Sequence, residues 1–258
     1  MIWAIPMLLE KAYDSIKHYL PKNSAESFEV LEQIQEYWNI WKPNPVNVLL
    51  LAESHVYTSQ ADFEVKYSKI KLETFIKNYP TKFVRLVYCF AYGEPDLLNE
   101  TLADNSGTTQ FWKIFCACTA KNESDLAFRR ILKSETSFFP RLRNKVNILN
   151  ELKRRGIWLI DASLVGIYRG IDDPEIKAKV IRASWDNYIN NLITETHPKD
   201  IIVIGKGVAN ALSGRLQNTC TAINAKYTIL PQPQGNRGSS EEQMATYREY
   251  QRICAKYV

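Results

Sequence analysis

The chain has 258 residues, 45% of them hydrophobic and 24% charged, enough apolar content for a sizeable core in one large α/β domain or two small ones. Its formal charge of +5 suits an acidic partner such as a nucleic-acid backbone, and suits a solvated basic surface equally well. The five cysteines are odd in number and lack C-x-x-C spacing, so neither a disulfide framework nor a closed zinc site is indicated. Met1 to Leu9 is apolar, but it has no basic n-region and meets Glu10 and Lys11 too soon for a signal core or a membrane span. A cytoplasmic protein in a reducing compartment is expected, with no membrane partner.

Residues 7 to 40 place apolar side chains at helical spacing (Leu8, Ala12, Ile16, Tyr19, then Phe28, Leu31, Ile34, Trp38), with a break at Pro21 and Ser24 that predicts a helical hairpin. Val46 to Leu51 is an apolar run with the character of a central parallel strand. Phe83 to Ala91 reads as extended and is closed by Tyr92-Gly93-Glu94-Pro95; Gln110 to Thr119 and Glu123 to Lys133 read as helices. Asn144 to Arg155 is a helix feeding a strand after Gly156, Pro174 to His197 a long helix, and Ile201 to Ile204 a strand ending in Gly205-Lys206-Gly207. Val208 to Leu216 is its helix and Tyr227 to Leu230 the fourth strand. Alternation of strand and helix predicts an α/β fold, a parallel sheet with helices on both faces, in a single domain over residues 1–258. Residues 1–45 form an N-terminal helical extension to it, and residues 46–245 the core.

Three of these apolar runs end in polar groups: Ala52-Glu53-Ser54-His55-Val56-Tyr57 after the first, Asp161 at the end of Gly156 to Ile160, and the 231–238 segment after Tyr227 to Leu230. Open α/β sheets place their ligand sites just past the carboxyl ends of parallel strands. Gly156-Ile157-Trp158-Leu159-Ile160-Asp161-Ala162-Ser163-Leu164 resembles the G-V-L-L-L-N-A-x-L strand of the uracil-DNA glycosylase superfamily, with Asp in place of Asn. Ala52 to Val56 resembles that family's water-activating loop. Leu230-Pro231-Gln232-Pro233-Gln234-Gly235-Asn236-Arg237-Gly238 resembles its H-P-S-P loop and following H-R-G, with Leu230 where the family's catalytic histidine falls. Ile201 to Gly205 fits its V-x-L-L-x-G strand. The resemblance spans roughly residues 45 to 245 and implies a three-layer αβα fold around a central four-stranded parallel sheet.

It also implies a DNA glycosylase that flips a nucleotide out of double-stranded DNA, acts without cofactor or metal as a monomer, and leaves an abasic site. Glu53 would orient the attacking water; its other reading is a carboxylate at a helix N-terminus. His55 would donate to the leaving base or a phosphate, or be a loop histidine. Ser54 and Phe90 fall where the family holds the base, Phe90 as the stacking ring, although an aromatic there can serve packing alone. Lys206, Gln234, Asn236 and Arg237 would contact DNA, Gln234 as the wedge and Lys206 and Arg237 on phosphates. Asp161 sets the substrate. An ionised carboxylate accepts from the exocyclic amine of cytosine, whereas the family's Asn reads uracil; alternatively Asp161 caps its segment or pairs with Arg169. Because excising plain cytosine would damage the host, a substituted cytosine such as the hydroxymethylated or glucosylated base of phage DNA is the expected target. A uracil-repair glycosylase and a non-catalytic binder of modified DNA are the alternatives.

Overall fold

The structure, a computed structural model, describes residues 4–22, 24–232 and 239–257. In chain order its helices and strands are α1 (Ala4–Lys17), α2 (Phe28–Trp41), β1 (Val48–Ala52), α3 (Gln60–Phe63), α4 (Lys69–Glu73), α5 (Thr109–Thr119), α6 (Phe138–Arg155), β2 (Ile157–Asp161), α7 (Pro174–Ser184), α8 (Asn190–Thr196), β3 (Asp200–Ile204), α9 (Lys206–Ala222), β4 (Lys226–Leu230) and α10 (Ser240–Cys254). The chain divides into two compact units, residues 1–32, 45–58 and 158–232 in the first and residues 33–44, 59–157 and 233–258 in the second. The division falls inside α2.

The first unit is built on a four-stranded parallel sheet in the order β2-β1-β3-β4. All five positions of β1, β2 and β3 are buried, which explains why, apart from Asp161 at the end of β2 and Asp200 at the start of β3, their sequences are continuous apolar runs rather than alternating ones. β4 lies at the edge and leaves Tyr227 and Ile229 exposed. Gly205 turns the chain from β3 into α9 at φ +102°, a conformation that side-chain-bearing residues rarely adopt. α9 packs on β3, β4 and α7, and α1 packs on α7, so helices flank the sheet. The helix expected from Pro174 to His197 runs through a π-helical turn, Trp185–Ile189, between α7 and α8.

The second unit packs α5 against α6 and α10. Trp112 and Phe115 of α5 stack on Phe90 and Tyr88 respectively, with Tyr79 and Trp41 extending the aromatic cluster. Phe83 to Ala91 is not extended: turns run through it, with the Cys89 N–H bonded to the Leu86 carbonyl and the Tyr92 N–H to that of Cys89. Every residue from Phe83 to Tyr92 is buried, so the stretch has no solvent face for a strand-like alternation to mark. The helix expected over Glu123 to Lys133 is two short 3₁₀ turns separated by Phe128 in the left-handed region at φ 58°. Among the described residues no helix is long and apolar enough to cross a membrane.

Candidate functional site at the carboxyl edge of the sheet

β1 and β2 remain paired one step beyond their ends. The Ala162 N–H donates to the Ala52 carbonyl at 2.7 Å and the Ser163 N–H to the Glu53 carbonyl at 3.0 Å. This ladder brings the 53–58 loop alongside the residues that follow Asp161.

His55 lies at the centre, its side chain fully enclosed between two carboxylates. Nε2 is 2.8 Å from Glu26 Oε2, and Nδ1 is 3.4 Å from Asp161 Oδ2. The second approach is too poorly aligned to count as a hydrogen bond. Among the described residues it leaves His55 Nδ1 and Asp161 Oδ2 buried without hydrogen-bond partners. Burial acts most strongly on His55 and opposes its charge, but Glu26 and then Asp161 outweigh it and push the imidazole up to about 10. The ring is thus an imidazolium at neutral pH, held between the Glu26 and Asp161 side chains.

Glu26 is the residue of this candidate site that sequence reasoning missed. It is 2% exposed and sits in the link between α1 and α2. Its Oε1 accepts from the Thr58 N–H at 2.6 Å, and its Oε2 accepts from the Gly166 N–H at 2.8 Å as well as from His55. Gly166 is required there by space. A Cβ on it would lie 2.7 Å from the Tyr57 backbone nitrogen and Cα.

Glu53 occupies a more open position. Its Oε2 accepts a hydrogen bond from the Tyr168 hydroxyl, and its Oε1 lies 3.0 Å from where a Cβ on Gly207 would stand. The carboxylate therefore approaches the first turn of α9, whose dipole favours a negative charge. The helix-terminus reading of Glu53 is met by this later helix rather than by the one that follows it in the chain. Burial, and after it Glu53, push the Tyr168 phenol up, keeping it a donor. Tyr168 is 56% exposed, with Lys177 Nζ 4.6 Å from its ring centroid. Lys206 is exposed at the start of α9.

Glu53, His55, Asp161 and Lys206 thus belong to one unit and to the carboxyl ends of three neighbouring strands. Ser54 follows Glu53, its hydroxyl oxygen buried and without a hydrogen-bond partner among the described residues. Arg169, the alternative partner for Asp161, instead holds its guanidinium 4.5 Å from the Tyr57 ring centroid. Phe90 lies in the second unit, 1% exposed, its ring centroid 5.3 Å from that of Tyr79 and 6.0 Å from that of Trp112. Leu230 ends β4 and is buried. Gln234, Asn236 and Arg237 lie outside the described residues. Among the described residues no group of three or more His, Cys, Asp or Glu could hold a metal ion. Comparison of the chain with protein-family models, with curated proteins and with solved structures finds no match.

Proposed function

We propose that the protein is a DNA glycosylase with the three-layer architecture of the uracil-DNA glycosylases, excising a substituted cytosine and leaving an abasic site. The observation that carries this reading is the delivery of Glu53 and Asp161 by adjacent strands to one edge of a sheet ordered β2-β1-β3-β4. Those are the two residues that the sequence resemblance assigns to water activation and to base reading. Tyr168 holds one oxygen of Glu53, which leaves the other to orient water toward the sugar carbon. Attack forms the C–O bond as the C–N bond breaks, the bonding pair leaves with the base, and the water proton passes to Glu53. Asp161 accepts from the exocyclic amine of the flipped base.

The enclosure of His55 makes it a positioning residue rather than a group in contact with the leaving base. Its ring stands 3.4 Å from Asp161 Oδ2 and so fixes where that side chain lies. The donors left for the departing base are Asn236 and the backbone N–H groups of residues 234–238. Val56, 40% exposed, falls where the resembled family carries a bulky tyrosine, which favours room for a substituted base unless Tyr57, the next residue, takes that place.

The test is base release from matched oligonucleotides carrying uracil, cytosine, hydroxymethylcytosine or glucosylated hydroxymethylcytosine, read as strand breaks after alkali. Breaks should appear at a cytosine derivative. Asp161→Asn should cost roughly 1–3 kcal/mol in recognition of that base and gain uracil release, because an amide supplies both a donor for O4 and an acceptor for N3–H. Uracil release by the wild type at a rate equal to or above every cytosine derivative would overturn the substrate. A mobility shift without breaks would make the protein a binder instead.

A further inference from the structure

The second unit contains a cleft of about 260 Å³ that the proposed glycosylase chemistry does not use. Its floor is a buried charge cluster. Glu94 is 0% exposed and accepts from Arg141, Nε to Oε1 at 2.9 Å and Nη2 to Oε2 at 2.6 Å, and from Lys145 Nζ to Oε1 at 2.5 Å. Arg141 also donates Nη1 to the Thr136 carbonyl, so its guanidinium is engaged on both sides.

Lys145 is different. It is 5% exposed and lines the cleft, and an ammonium carries three N–H donors. One of them reaches Glu94; among the described residues no other acceptor is bonded to it, and the Trp112 ring centroid lies 4.9 Å from Nζ. Lys133 stands exposed in the lining of the same cleft. One carboxylate against Arg141, Lys145 and Lys133 leaves a formal excess of two positive charges. The Thr108 hydroxyl, also in the lining, is buried without a hydrogen-bond partner among the described residues. A buried ammonium with unused donors, an unpartnered hydroxyl and net positive charge together call for an oxygen-rich anion.

We propose that this cleft binds a phosphate group, with Lys145, Lys133 and Thr108 as its donors. A tetrahedral phosphate presents several acceptor oxygens in different directions, which suits donors from three separate stretches of chain lining one cleft better than a planar carboxylate does. The walls are stiff where they meet: Gly93 and Gly107, at φ +97° and +72°, face each other so closely that a Cβ on either would lie within 2.8 Å of the other's Cα. The phosphate belongs either to a small molecule or to the 5′ end of a nucleic-acid strand.

Titration calorimetry on the full chain at low ionic strength separates these cases, using inorganic phosphate, a 5′-mononucleotide, and an oligonucleotide with and without a 5′-phosphate. Inorganic phosphate should bind saturably with a Kd of about 1 mM or tighter. Lys133→Ala and Thr108→Val, both conservative of the fold, should each weaken it by roughly three- to tenfold, the range of one lost hydrogen bond. Lys145→Gln should abolish it, although the Lys133 and Thr108 variants decide the matter because Lys145 also supports Glu94. Preference for the mononucleotide over both oligonucleotides assigns the site to a small molecule; preference for the phosphorylated oligonucleotide over its unphosphorylated twin assigns it to a strand end. Absence of saturable phosphate binding, or phosphate binding unchanged in both the Lys133 and the Thr108 variant with unaltered thermal melting, overturns the proposal. Neither result bears on base excision.

Discussion

Each unit of the chain buries a charge cluster of three side chains, and the two have opposite compositions. Glu26, His55 and Asp161 set two acids around one base; Glu94, Arg141 and Lys145 set two bases around one acid. In surroundings where water screens little, the charge left over decides what can approach. The first cluster leaves on Asp161 a carboxylate oxygen without a hydrogen-bond partner among the described residues, the acceptor that the proposed base reading would use. The second leaves unused donors on Lys145, suited to an anion. The clusters also differ in how they can relax. A histidine can shed its proton when a partner is lost, whereas an arginine keeps its charge at any accessible pH.

That difference orders the consequences of disturbing them. The largest effect is expected from Glu94→Gln, which strands Arg141 and Lys145 without a counter-charge and should destabilise the protein by about 3–5 kcal/mol. Urea denaturation measures it, and a loss near zero would mean that the cluster is solvated.

The pH responses should point in opposite directions. His55 has a folded pKa of about 10, above the usual 6.5 of an imidazole, so its contribution is full below about pH 6.5 and is lost as pH rises through about 10. Burial, the largest influence on Glu94, raises its pKa, but Arg141 and Lys145 outweigh it and hold the carboxyl below the usual 4.5; its contribution is present above that pH and lost on acidification. The destabilisation caused by His55→Gln should therefore shrink toward alkaline pH, and that caused by Glu94→Gln toward acid. Penalties that stay constant with pH would remove charge from both accounts.

Glu26→Gln should cost less than Glu94→Gln, about 1–3 kcal/mol, because His55 can then become neutral and only the carboxylate's hydrogen bonds are impaired. Equal costs for the two substitutions would erase the distinction between a cluster that can discharge and one that cannot. The smallest changes in stability belong to the open rim. Glu53→Gln and Tyr168→Phe should each leave the unfolding free energy within about 0.5 kcal/mol of wild type. Base release should fall roughly ten- to a hundredfold for Glu53→Gln and about threefold for Tyr168→Phe. Turnover indifferent to Glu53→Gln would take that residue out of the chemistry.

The sheet and its carboxyl edge were legible in the sequence because β1, β2 and β3 are fully buried, and full burial writes itself as an unbroken apolar run closed by a polar residue. Glu53, His55 and Asp161 stand directly at such closures. Glu26 left no comparable mark. It lies 29 residues before His55 in a link between helices, and its importance comes only from contacts made by the fold. The aromatic stretch from Phe83 to Tyr92 misled for a related reason: complete burial of every side chain removes the periodicity that separates a strand from a series of turns. Glu94 was hidden in the same way, as part of a Tyr-Gly-Glu-Pro turn whose partners Arg141 and Lys145 lie 47 and 51 residues downstream.

The close approach of Gly166 to Tyr57 gives the candidate active site a backbone fulcrum. One face of the glycine bears on the main chain of the first loop while its N–H holds the carboxylate that grips His55. A single methyl group at this position would lever the two loops apart and disturb the imidazolium from both sides without changing any charged residue. A chain that shares this arrangement is therefore bound to a compound signature: an acid just before the second helix, Glu-Ser-His after the first strand, Asp closing the second strand, and a glycine five residues on. That signature can be sought where overall sequence similarity has faded.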